Sequence, residues 1–120
     1  MTDILPFISG KLSAVARVEL QFPDAKTTLP VITITEAANI SSVVLDNTDR
    51  LSDITIQLDI FGGGKTPADT MELAVSADKI MAVMGMRRIS ANLICEAGGK
   101  WRKTMRYRGL VDEISGYVYN

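Results

Sequence analysis

The sequence predicts an α+β fold, a mostly antiparallel sheet with two helices packed on one face and a long polar hairpin arm. Three observations carry this. Apolar and polar residues alternate through Ile54, Ile56, Leu58 and Ile60, and again through Met105, Tyr107, Gly109 and Val111; a period of two marks strands with one buried face. Apolar residues recur at helical spacing within 3–17 and within 67–84. Glycine turns separate the later elements, at Gly62-Gly63-Gly64 and Gly98-Gly99, and short turns join antiparallel neighbours.

Taken in order, the first helix is expected over roughly 3–17, capped by Thr2, with Ile4, Phe7, Ile8, Leu12 and Val15 as its apolar stripe. Pro6 falls in its first turn, where proline is tolerated. Glu19 to Pro30 reads as a connector, because Phe22-Pro23 and Leu29-Pro30 favour extended backbone before each proline. Val31-Ile32-Thr33-Ile34-Thr35 is β-branched throughout and reads as a strand. Residues 36–53, rich in Ala, Asn, Ser and Asp around Val43-Val44-Leu45, are expected to form the arm, with weakly paired ends. The strand at 54–60 then follows.

The second helix is the clearest. Thr66 is expected to cap it, Pro67 to take its first position and Asp69 to reach back as the acid of a capping box. Leu73, Ala77, Ile80 and Met84, flanked by Met71, Ala74 and Met81, make its broad apolar face, and Gly85 ends it in a left-handed conformation. Ile89, Ala91, Leu93 and Cys95 would form one face of the next strand. From Trp101 to Val111, Met105 and Tyr107 fall on one side, and Arg102, Thr104, Arg106 and Arg108 on the other. Tyr117-Val118-Tyr119 adds a short last strand.

The 120 residues fit one domain, 1–120, whose core needs no staples. A single cysteine, Cys95, rules out an intrachain disulfide. There is no histidine, which removes the commonest general base and the commonest metal ligand. The acidic start and the lack of a long apolar run predict a soluble protein made in a cytoplasm, without a membrane segment. Net charge is −1, yet it is segregated. Residues 1–84 hold six Lys/Arg and eleven Asp/Glu, and residues 85–120 hold seven and three. Such polarity is either uneven solvated surface or a basic surface that meets the acidic surface of the next copy.

The candidate catalytic and ligand-binding patterns have plainer readings beside them. Gly62-Gly63-Gly64-Lys65-Thr66 suggests a phosphate loop, but the motif needs glycine at position 59, where Asp59 stands. A glycine turn leading into a helix explains it better. Arg102, Arg106 and Arg108, with Lys100, Lys103, Trp101 and Tyr107 nearby, could bind nucleic acid. Tyr107, however, lies on the opposite face from the arginines, so stacking and charge do not converge. Cys95 has no histidine to activate it and reads as core filling. Asp46, Asp49 and Asp53 lack the glycine and closing glutamate of a calcium loop. No cofactor and no catalytic residue is expected, and the chain reads as a non-enzyme.

The order of features resembles the tail-terminator (tail-completion) proteins of long-tailed bacteriophages. The resemblance spans most of the chain. It rests on the N-terminal helix, Phe22-Pro23, Leu29-Pro30-Val31-Ile32-Thr33-Ile34-Thr35-Glu36, the polar arm and Ser52-Asp53-Ile54-Thr55-Ile56-Gln57-Leu58-Asp59-Ile60-Phe61. It continues in the helix exit Met84-Gly85-Met86-Arg87-Arg88 and the strand Met105-Arg106-Tyr107-Arg108-Gly109. Met86 stands where an aromatic is common in that family. The resemblance implies a structural virion protein at the head-proximal end of the tail, assembled in the host cytoplasm as a ring that is commonly hexameric. Its partners would be itself, the major tail (tube) protein and the head-tail connector protein, with DNA only as passing cargo. The ring would stop tube growth and offer the surface that joins the capsid. Arg102, Arg106, Arg108, Asp46, Asp49 and Asp53 are the residues expected at the subunit or tube interface. The alternative is a small module that binds nucleic acid or peptide through its basic sheet face.

Overall fold

A computed structural model describes residues 4–24, 27–45, 48–64, 66–96, 99–112 and 118–119. Two helices, α1 (Leu5–Leu12) and α2 (Ala68–Val83), accompany six strands: β1 (Arg17–Glu19), β2 (Val31–Leu45), β3 (Thr48–Phe61), β4 (Arg87–Cys95), β5 (Trp101–Asp112) and β6 (Val118–Tyr119). The strand order is β1-β2-β3-β5-β4, with β6 paired to β5 beyond the start of β4. All pairings are antiparallel except β1 with β2. The α+β class predicted from the sequence is the one observed.

Alternation explains the core. Ile32 and Ile34 of β2, Ile54 to Ile60 at every second position of β3, and Met105, Tyr107 and Val111 of β5 are buried on one sheet face. Ile8 and Leu12 of α1 and Ala74, Ala77 and Met81 of α2 close over them. Side chains at i, i+3 and i+4 share a helix face, so this stripe on α2 is the one that meets the sheet.

The helices differ from expectation at their ends. The stop of α1 at Leu12 has a local cause: the Ser13 hydroxyl donates to Gly10 O, and the N–H groups of Val15 and Ala16 both turn back to Leu12 O. Phe7, expected in the stripe, is exposed. On α2, Pro67 occupies the cap position and no side chain caps the helix; Thr66 is exposed, and Asp69 lies against Gly64 instead of closing a capping box. The buried stripe is Thr70, Ala74, Ala77 and Met81, so the expected broad face is centred on its Ala74–Met81 flank, with Leu73, Ile80 and Met84 packed at the margin. The exit is as expected. Gly85 has φ +93°, and the Met86 N–H reaches Met81 O at 3.0 Å, the bond that closes a left-handed helix end.

Where the expected first helix gives way to the expected connector, Arg17–Glu19 forms a parallel strand on β2. β4 is an edge strand, and its register leaves Ile89 as an extra, bulged residue between Arg88 and Ser90. Ile89, Leu93 and Cys95 are therefore exposed, and only Ala91 of that expected face packs on the core. Residues 36–45 and 48–53 are paired strand out to Leu45↔Thr48, with extra residues at Ala37 and Ser42 of β2 and at Arg50 of β3. The side chains of 39–51, and Thr2, Asp46, Lys65, Gly98 and Tyr117, lie outside the described residues.

Candidate assembly surface

The sheet face opposite the helices carries the arginines, as alternation along β5 requires. Arg102, Thr104, Arg106 and Arg108 stand there beside Phe61, Asp59, Gln57 and Thr55 of β3. The acids that meet these arginines come from the neighbouring strand of the same chain. Arg108 forms a two-pronged pair with Asp53, its Nε 2.8 Å from Oδ1 and its Nη2 on Oδ2. That bond holds the Asp53 carboxyl below the usual carboxylate range. The Arg106 Nε donates to Gln57 Oε1 at 3.0 Å. Both arginines remain exposed.

At the other end the face is covered. Gln21 O accepts from the Thr33 hydroxyl, and the Phe22 ring lies edge-on to Phe61 at 6.0 Å. The Arg102 guanidinium sits 5.6 Å from the Phe22 ring centre. Beneath this cover Asp59 is fully buried, although strand alternation placed it on a wet face. It accepts from Arg102 Nη1 at 3.1 Å, from the Thr104 hydroxyl and from Gln57 Nε2 at 2.9 Å. Arg102 Nε lies 2.6 Å from Glu96 Oε1, an ionic contact rather than an aligned hydrogen bond.

The expected interface residues thus separate. Arg106 and Arg108 share an exposed surface with Asp53, whereas Arg102 is drawn into the Asp59 cluster. Asp49 pairs in register with Val44, near the end of the hairpin, and Asp46 lies outside the described residues. The intrachain acids were missed because Asp53 and Arg108 are 55 residues apart. Only knowledge that β3 adjoins β5 brings them together. Acids among the arginines also reduce the attraction of this face for phosphate.

The glycine turn is a packing device. Gly62 N–H donates to the Thr70 hydroxyl at 3.1 Å, and that hydroxyl donates to Trp101 O. A Cβ at Gly62 would meet Thr70 N at 2.6 Å. Beside the turn, a groove of about 490 Å³ is lined by Ala14, Val15, Pro30, Leu73, Asp69 and Glu72. Its two carboxylates disfavour a phosphate ligand. Among the described residues no cluster of three or more acids and cysteines gathers to hold a metal ion, and no helix is long and apolar enough to cross a membrane.

Across the helical face, the buried Tyr107 hydroxyl donates to Asp78 Oδ1 at 2.7 Å, and Arg88 pairs with Asp78 from the other side. Burial, helped by the Asp78 carboxylate, pushes the phenol far above its ordinary pKa near 10. A raised folded-state pKa favours the neutral form. Its contribution to stability is complete below about pH 10 and is lost as pH rises beyond the unfolded-state value. Absorbance titration at 295 nm should show a late, unfolding-linked phenolate component that Tyr107→Phe removes. A Tyr107→Phe titration identical to wild type would overturn this.

Comparison with models of known protein families finds no match, and comparison with curated proteins finds none either.

Proposed function

We infer that this chain is a structural subunit that assembles into a ring on the end of a bacteriophage tail tube. The ring stops tube growth and presents the surface that joins the capsid. The resemblance of its ordered motifs to tail terminators supplies the class. The observation that supports it best is the build of the molecule. A compact chain of this length has a radius of gyration of about 14 Å; here it is 15.2 Å, with extents of 54 × 24 × 23 Å. The β2–β3 hairpin stays paired out to Leu45↔Thr48, and at about 3.3 Å per residue its strands of 15 and 14 residues are long enough to account for the longest extent. A long hairpin beside an exposed, charge-patterned sheet face suits a protein that works by contact.

The role of the arginine face is tested by Arg106→Glu combined with Arg108→Glu. Exposed ion pairs are weak in water and screened by salt, so single changes should be mild. The double reversal repeats like-charge repulsion around a ring and should abolish assembly while far-UV circular dichroism stays native. Because Arg108→Glu also sets a carboxylate against Asp53, the charge-swapped combination Asp53→Arg with Arg108→Asp is the companion: it restores the intrachain pair. Electron microscopy of tails in a complementation assay gives the readout. Tails of normal length joined to capsids from the folded double variant would exclude this face as an assembly surface.

A further inference from the structure

We propose that successive copies of this chain join edge to edge, β4 of one subunit adding as a strand to the outer edge of β2 in the next. One antiparallel sheet would then run through each subunit boundary. The inference rests on the ring reading above and supplies the contact that builds the ring.

Both edges are open among the described residues. β1 covers β2 only at Val31–Thr33, which leaves Ile34–Leu45 without a strand on that side. β4 pairs with β5 alone. Each edge presents a row of backbone N–H and C=O groups able to template another strand.

Strand polarity makes the two edges complementary. From β2 through β3 and β5 to β4 every step is antiparallel, so β4 runs opposite to β2. A second copy in the same orientation therefore offers its β2 antiparallel to β4, with no inversion of the subunit. That is a head-to-tail contact, which repeats and can close into a ring.

Charge is compatible with this pairing: β4 carries Arg87 and Arg88 and no acid, whereas β2 carries Glu36 and no base, so the seam joins a basic strand to an acidic one. Because β1 occupies the start of β2, an incoming antiparallel β4 lies on Ile34–Leu45, with Cys95 toward Ile34 and its arginine end toward the hairpin end. Leu93 is 39% exposed and Ile89 46% exposed along the β4 edge, apolar surface that an added strand would cover. The bulges at Ile89 on β4, and at Ala37 and Ser42 on β2, interrupt the free edges and so restrict indiscriminate pairing.

Cys95, the protein's only cysteine, is exposed at the end of β4 and provides the test. Thr35→Cys, Ala37→Cys and Ala38→Cys are made separately in the full chain and mildly oxidised. A disulfide requires Cβ atoms about 3.5–4.5 Å apart, so it forms only where these edges meet. At least one variant should give a ladder of covalent multimers on non-reducing gels. Its top rung should match the ring mass measured by native mass spectrometry, and adding Cys95→Ser should abolish it. A ring by mass with no ladder from any variant would overturn the edge contact and leave the ring reading standing. Abundant wild-type dimer through two Cys95 thiols would assign β4 to a symmetric contact and also overturn it. A chain that stays monomeric at every concentration, without a ladder, would sink both.

Discussion

Asp59→Ala should lower the stability of the folded chain by about 3 kcal/mol, the lower end of the cost of removing one partner from a buried ion pair. Asp59 is fully buried and accepts from three side chains, Arg102, Thr104 and Gln57. Removing its carboxylate leaves the Thr104 hydroxyl, the Gln57 amide and one Arg102 nitrogen without their acceptor, beneath the Phe22–Phe61 cover. Arg102 keeps Glu96 and is 18% exposed, which holds the cost to the lower end of the range. Asp59→Asn keeps the shape and part of the hydrogen bonding, so it should cost less than alanine. Urea unfolding with an unchanged m value measures both. A loss under about 0.5 kcal/mol, the usual value for surface substitutions, would mean that the cluster is solvated and the cover over it open.

Met81→Ala should cost about 2–5 kcal/mol. Met81 is wholly buried in the last turn of α2, between Ala77 and the helix exit, and belongs to the cluster joining both helices to β3 and β5. Truncation removes three heavy atoms from a close-packed layer that relaxes only in part. Ile80, next in sequence, is half-buried at the edge of the same face, so Ile80→Ala should cost clearly less than Met81→Ala. Thermal and urea unfolding of the two variants side by side decides between the stripes. Equal losses, or a larger loss at Ile80, would place the sheet-facing side of α2 where the sequence pattern first suggested.

The comparison of Met81 with Ile80 shows how far a pattern reaches. Helical spacing announced α2, but a broad apolar face leaves its rotation to be set by the partner. The glycine turn gives the reverse case: its role in packing against Thr70 and Leu29 became visible only with the helix in place, whereas the misfit to a phosphate loop was plain from Asp59. Of the six residues expected at an interface, Arg106 and Arg108 are exposed together as the strand period implied. Asp53 is their neighbour within the chain.

Features that follow from backbone periodicity and local sterics were legible from the residues alone. They include the division of β5 into a buried Met105–Tyr107–Val111 side and an arginine side, the buried side of β3 and the left-handed exit at Gly85. Each depends on residues a few positions apart. Which strands are neighbours emerged only from the folded chain, and with that the burial of Asp59, its bond to Arg102 43 residues away, the parallel strand β1 and the exposure of β4. These depend on chain closure between distant segments, and alternation fixes which side a residue faces without saying what covers that side.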